Sequence, residues 1–165
     1  MTLYSIKKHI FFYIFLIFFL LIFSYAQGSM VQLSLEQLVH NADLIIVGTV
    51  EGVESKWVDG KIFSFAAVSV NSWIKGRVDA GCDRVIVRFP GGTIGDVSMH
   101  GSESPDYRHD DKAVIFLKAI PAQGLYETLG SSQGKFLIRE NIVLKENIPL
   151  DQFVEDIEKT MNSEK

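Results

Sequence analysis

The sequence has one cysteine, Cys82, in 165 residues. A disulfide framework is therefore excluded, and any fold rests on its apolar core. Cys82 sits in the turn-like Asp79-Ala80-Gly81-Cys82-Asp83. Its acidic neighbours do not favour a reactive thiolate, which leaves an incidental thiol or a partner for a second chain. Basic clusters are also missing. With 16 Lys and Arg against 20 Asp and Glu, the balance argues against a nucleic-acid partner and against anionic membrane surfaces. Ser98, Ser102, Ser104, Ser131 and Ser132 do not lie in a Gly-x-Ser-x-Gly elbow, so a serine hydrolase is disfavoured. No internal repeat and no interdomain linker interrupts the chain.

What is present begins with a leader. Lys7 and Lys8 precede an unbroken apolar run from Ile10 to Phe23, and Ser24-Tyr25-Ala26 follows. This order predicts a secretory signal peptide over residues 1–26, cut after Ala26. The alternative is an uncleaved anchor, but the run is shorter than the roughly 18–20 apolar residues that a spanning helix needs. Export to the periplasm or the extracellular space is therefore expected, with no membrane association after cleavage. Without its two leader lysines, the mature part holds 14 basic against 20 acidic residues. Residues 27–165 are expected to form a single domain with apolar residues enough for one core.

The organising stretch is Asp43–Ser55, apolar and β-branched, broken by Gly48 and Gly52. Leu44, Ile46, Gly48 and Val50 share one face, and Ile45 and Val47 lie on the other, so this end of the strand is covered on both sides. Gly48 predicts a bulge or sharp bend. Asp59-Gly60 turns the chain into a return strand, Lys61–Lys75. That strand places Ala66, Val68, Val70 and Ile74 on one face and Phe63, Phe65 and Trp73 on the other. Further strands are predicted at 84–89, 94–99, 113–117, 126–129 and 135–143. Ser34 and Gln37 have the spacing of a capping box before a short helix ending at Asn41. Asp151–Met161 reads as an amphipathic helix with Phe153, Val154 and Ile157 as its apolar stripe. The fold class is thus mostly β: a small antiparallel OB-like barrel with a short N-terminal helix and a C-terminal amphipathic helix.

Four groups are candidates for a site. The long irregular stretch 90–112 carries His100, Glu103, Asp106, Tyr107, His109, Asp110 and Asp111, and stretches of that length are commonly functional. Imidazole and carboxylate suit a metal, and His100, His109 and Asp110 form the alternative ligand set, although their spacing matches no zinc motif. Turn residues are the plainer account of Asp110 and Asp111. Pro90-Gly91-Gly92 offers backbone amides to an anion, or simply a strand end that needs glycine conformations. Trp57, Phe63, Phe65 and Trp73 would grip a partner if their face is open, or form core if a helix covers them. No cofactor is expected.

Ala42-Asp43, Ile46-Val47-Gly48-Thr49-Val50, Ile74-Lys75-Gly76, and Asp110-Asp111-Lys112 before Val114-Ile115-Phe116-Leu117 together resemble the netrin-like module shared with tissue inhibitors of metalloproteinases. The resemblance covers roughly residues 33–117 and implies an OB-type barrel. Pro90-Gly91-Gly92 and Gln133-Gly134-Lys135-Phe136 are similar to small exported bacterial domains of unassigned function, some of which accompany metalloprotease modules. The inhibitors chelate the protease zinc through an N-terminal cysteine. Gln27 stands at that place here, so that mechanism does not carry over. The expectation is an exported, non-catalytic binding module for a protein or other extracellular ligand, contacting it through the hairpin tip and residues 90–112. The alternative is a metal-assisted hydrolase using the His/Asp-rich loop. A third possibility is an ancillary domain serving a neighbouring protein.

Overall fold

The computed structural model describes residues 31–78, 81–101, 103–121 and 123–163. The expected signal peptide and the Gln27 start lie outside the described residues. Leu33–Lys165 is one compact unit, and every element below belongs to it. No helix among the described residues is long and apolar enough to cross a membrane.

The unit is mostly β, with two helices and one large mixed sheet. Helix α1 is Leu35–Asn41. The Ser34 hydroxyl accepts from the Gln37 amide, and the Gln37 side chain accepts from the Ser34 amide, which completes the expected capping box. Strands β1 (Leu44–Val58) and β2 (Lys61–Lys75) form the long hairpin. Asp59 and Gly60 both take positive φ at its tip, 48° and 75°, the left-handed pair that an Asp-Gly turn supplies. Then come β3 (Arg84–Pro90), β4 (Gly92–Ile94), β5 (Val97–Met99), β6 (Lys112–Ile120), β7 (Leu125–Thr128), β8 (Lys135–Arg139), β9 (Ile142–Val143) and β10 (Ile148–Pro149). Helix α2, Leu150–Asn162, closes the chain.

In the large sheet the neighbours run β1, β2, β3, β7, β6, β8, β9, β10, and β1 also pairs with β6. All ladders are antiparallel except β3–β7, which meet in parallel at Val87 and Tyr126. β4 and β5 form a separate two-stranded sheet. The single strand expected at 94–99 is therefore the second half of a small hairpin. The strand expected at 135–143 is split, because Glu140 and Asn141 adopt positive φ and turn the chain between β8 and β9. The two-residue β10 has no alternating pattern to reveal it.

Two cores lie on the two faces of β1 and β6. One gathers Leu44, Ile46, Val50, Ala66, Val68, Val85, Val87, Ala113, Ile115 and Leu117. The other packs Ile45, Val47, Val114, Phe116, Phe136 and Ile138 beneath Leu38 and Val39 of α1 and Phe153 and Ile157 of α2. Both faces of β1 are thus covered, as its apolar start implies.

Gly48 shows why glycine is needed at the bend. A Cβ there would lie 2.5 Å from a Val68 methyl and 3.0 Å from the Ser69 carbonyl. The β1–β2 register shifts three times, between Ile45 and Ile46, between Val47 and Gly48 and between Val50 and Gly52, and the residues left over are Ile74 and Asn71 of β2 and Glu51 of β1. Each shift inserts a residue and reverses which side chains share a face.

Candidate functional site

Those irregularities re-sort the expected aromatic surface. Beyond the extra residue Asn71, Trp73 pairs with Ile46 rather than continuing the face of Phe63 and Phe65. It packs against the core that contains Ile46, while Ile74 joins the helix-covered core. The expectation that Trp73 lies opposite Ala66 and Val68 is therefore corrected. Beyond the extra residue Glu51, Val53, Ser55 and Trp57 pair with Ala66, Ser64 and Ile62 on the concave side of the hairpin. Phe63 and Phe65 sit on the outer side, paired with Lys56 and Glu54. They are half-buried and lie in neither core. Cations cover them instead: the Arg88 guanidinium is 5.1 Å from the Phe63 ring centre and Lys56 Nζ is 5.8 Å from that of Phe65. Trp57 stays exposed at the tip, as expected. The four aromatics do not form one surface.

The β4–β5 hairpin folds across the concave side. Gly91 and Gly92 have φ of 94° and 136°, which disfavours any side chain. A Cβ on Gly92 would collide with the hydroxyls of Ser55 and Ser64, and one on Gly91 would lie 2.7 Å from the Met99 carbonyl. The buried Ser64 hydroxyl donates to the Gly91 carbonyl at 2.7 Å and shares a 2.9 Å hydrogen bond with Ser55 Oγ. The Gly91 amide is used as well, donating to Ile62 O at 2.9 Å. The glycines therefore serve close backbone approach, and the Gly91 amide is not free for an anion.

The rest of the 90–112 stretch is clamped from below. Lys135 Nζ lies 2.7 Å from Asp111 Oδ2, donates to the Asp106 carbonyl, and stands 4.5 Å from the Tyr107 ring centre. The two charged side chains are only 6% and 18% exposed. Tyr107 itself is 5% exposed. Its hydroxyl bonds Thr128 Oγ1 at 2.7 Å, and its ring lies 5.2 Å from that of Phe89. Burial pushes the Tyr107 phenol far above its usual range, against the opposing effect of the Thr128 hydrogen bond. Tyr107, a candidate binding residue in the sequence, is thus packed in the core. Asp110 takes the left-handed conformation, φ 66°, and its amide donates to Val50 O. It is the turn residue that the plainer account expects.

The two histidines have separate partners. His100 Nδ1 is 3.3 Å from Ser98 Oγ, and His109 Nδ1 is 3.0 Å from Asp110 Oδ1 in an exposed pair. Among the described residues, no group of three or more His, Cys, Asp and Glu side chains is placed to hold a metal. The alternative set His100, His109 and Asp110 is not brought together as ligands.

What the two hairpins enclose is an open cleft of about 460 Å³, bounded by Val53, Ser55 and Ser64 on one side and by Met99, His100, Pro105 and Arg108 on the other. Val53 and Met99 in its walls are exposed apolar side chains, and the same two hairpins also expose Trp57 and Val97. Among the described residues only two other large apolar side chains, Val31 and Leu144, are as exposed. Sequence reading missed Val53, Val97 and Met99. The signal for Val53 was Gly52, whose bulge turns the next residue to the concave side. The signal for Val97 and Met99 was the turn at Asn-free Gly95-Asp96, with Gly95 at φ 56°, which makes a two-strand hairpin instead of one strand. No protein-family model matches the chain, and no curated protein is significantly similar to it.

Proposed function

We propose that this is an exported, non-catalytic binding module on an OB-like barrel, and that its partner, a protein, docks at the cleft between the β1–β2 and β4–β5 hairpins. The barrel reading draws on the pairings β1–β2, β2–β3, β3–β7, β7–β6 and β6–β1, which return to the starting strand. It agrees with the OB-type arrangement that the netrin-like resemblance implies. Export rests on the leader pattern of Lys7-Lys8, the apolar run and Ser24-Tyr25-Ala26.

The observation that carries the binding reading is a cleft with exposed Val53 in one wall and exposed Met99 in the other, between hairpins that also expose Trp57 and Val97. Exposed apolar groups bordered by polar Ser55, His100 and Arg108 have the character of a protein contact. The test is affinity capture from the compartment to which the chain is exported, with the wild type and a Val97→Asp/Met99→Asp variant as baits. The wild type is expected to retain a specific partner that the variant releases. Recovery of no partner, or equal recovery by both baits, overturns the reading.

A further inference from the structure

Past Val50, β1 is paired on one side only. Its ladder with β6 ends at Thr49 and Lys112, and the last bonds on that edge join Val50 to Asp110 and Asp111. Among the described residues no strand pairs with the remaining edge, Gly52–Val58. The direction of its peptide groups follows from the opposite side of the hairpin. Ile62 O accepts from the Gly91 amide, so the Ile62 groups face β3. Antiparallel pairs alternate, so those of its partner Trp57 face away from β2, and so do those of Ser55 and Val53. Three donors and three acceptors are thus presented along a single edge.

The side chains on that edge read the same way in both directions. About Ser55 the order is Val53, Glu54, Ser55, Lys56, Trp57: apolar, acidic, central, basic, apolar. An antiparallel copy placed with a two-fold axis at Ser55 sets Glu54 of each chain opposite Lys56 of the other. It also sets Val53 opposite Trp57 twice. Opposite charges and aromatic–aliphatic pairs are the favourable cross-strand neighbours. Val53 is 41% and Trp57 52% exposed in the single chain. Glu54 and Lys56 are exposed and joined to each other at 2.9 Å, an ion pair that costs little to exchange.

We propose that β1 joins edge to edge with β1 of a second copy of this chain, forming a continuous four-stranded sheet β2-β1-β1-β2 about a two-fold axis at Ser55. The two-fold relation is the self-complementary kind that closes as a dimer, because each copy uses the same edge of β1. The axis runs across the sheet, so both clefts open on the same side, with Val97 and Met99 of each copy left for a partner. The contact is short, which places it among weak, transient associations. The dimer does not depend on the binding role of the cleft.

Charge exchange tests the register itself. Sedimentation velocity is run over a concentration series on the protein as the cell processes it. The wild type is expected to shift from monomer to dimer across the series. Lys56→Glu and Glu54→Lys each place like charges opposite one another twice, and each is expected to weaken association about tenfold. The double variant Glu54→Lys/Lys56→Glu restores opposite charges across the axis and is expected to return to within about threefold of the wild type. All four residue combinations are expected to melt alike, since both positions are exposed. A wild type that stays monomeric throughout overturns the proposal and leaves Lys56 as a charge that guards an unpaired edge. A dimer indifferent to either single change, or one the double change fails to restore, also overturns it.

Discussion

Removing the Asp111 carboxylate should cost this domain more than any surface ion pair would. Asp111→Ala leaves Lys135 Nζ, on a side chain 6% exposed, with only the Asp106 carbonyl and the Tyr107 ring as partners. Stranding a fully buried charge costs about 3–5 kcal/mol. The remaining carbonyl and the partial exposure of the site bring the expected loss to about 2–4 kcal/mol. For a domain of this size that is roughly 6–12 °C in Tm, at about 3 °C per kcal/mol. Lys135→Met should cost less, about 1–2 kcal/mol, because Asp111 is the more exposed partner and still accepts from the Arg108 amide at 3.2 Å. Asp111→Leu/Lys135→Met removes both charges and should recover much of the loss. Urea unfolding followed by tryptophan fluorescence gives the three free energies and their coupling. A buried pair should also resist screening, so the coupling should change little between low and high salt. Single variants that each lie within about 0.5 kcal/mol of the wild type, and add in the double, would refute the clamp.

Gly48→Ala drives a methyl into Val68 and the Ser69 carbonyl, and should destabilise by about 1–3 kcal/mol in the same urea assay; a neutral result would mean the bend has room to relax. Gly92→Ala adds a side chain at φ 136° against two serine hydroxyls. It should loosen the β4–β5 hairpin alone, so limited proteolysis within 91–101 should speed up about tenfold while the global Tm moves little. Asp43→Asn addresses acid stability. The Ala119 amide, then Lys118, hold the Asp43 carboxyl below its usual value. A depressed native pKa gives a contribution that is complete above about pH 4 and lost as pH falls through the native value. The wild type should therefore lose more stability than Asp43→Asn between about pH 5 and pH 2, and equal pH slopes would refute this role.

The hairpin, its turn, the two covered faces of β1 and both helices were legible because each is a local pattern. Apolar positions at period two or 3.6, an Asp-Gly pair and a capping box each specify their element directly. The surface assignments failed where the pattern was interrupted. A bulge exchanges inner and outer positions for everything beyond it, and the β1–β2 ladder carries three, at Glu51 of β1 and at Asn71 and Ile74 of β2. Gly48 marks the bend, but counting alternate residues through Lys61–Lys75 passes over the extra residue Asn71 and sends Trp73 to the wrong face. Tyr107 was lost for another reason. Its burial depends on Phe89, Thr128 and Lys135, which come from three other segments, and no window around residue 107 contains them. The cleft was illegible for the same reason, since its walls are distant in sequence.

The residues of Ala42-Asp43, Ile74-Lys75-Gly76 and Asp110-Asp111-Lys112 include several fasteners. Asp43 ties the start of β1 to the Ala119 amide and Lys118. Lys75 Nζ bonds the Val39 and His40 carbonyls at the end of α1, and Gly76, at φ 67°, lets the chain pass against the Asp43 carbonyl. Asp110 and Asp111 turn the chain and anchor Lys135. In Gln133-Gly134-Lys135-Phe136, Gln133 Oε1 accepts from the Leu33 amide, a Cβ on Gly134 would lie 2.5 Å from the Leu129 carbonyl, and Phe136 packs between Phe116 and Phe153. Side chains with these duties report which chain geometry is being held and are silent on what the domain meets. Exposed Val53, Trp57, Val97 and Met99 take no part in these fasteners. A protein of the same architecture with polar groups at those four positions would keep every fastener and lose those apolar groups. If the domain binds as proposed, its motifs and its binding role are separable, and substitution at these four positions, with the fasteners intact, is where a change of partner would be written.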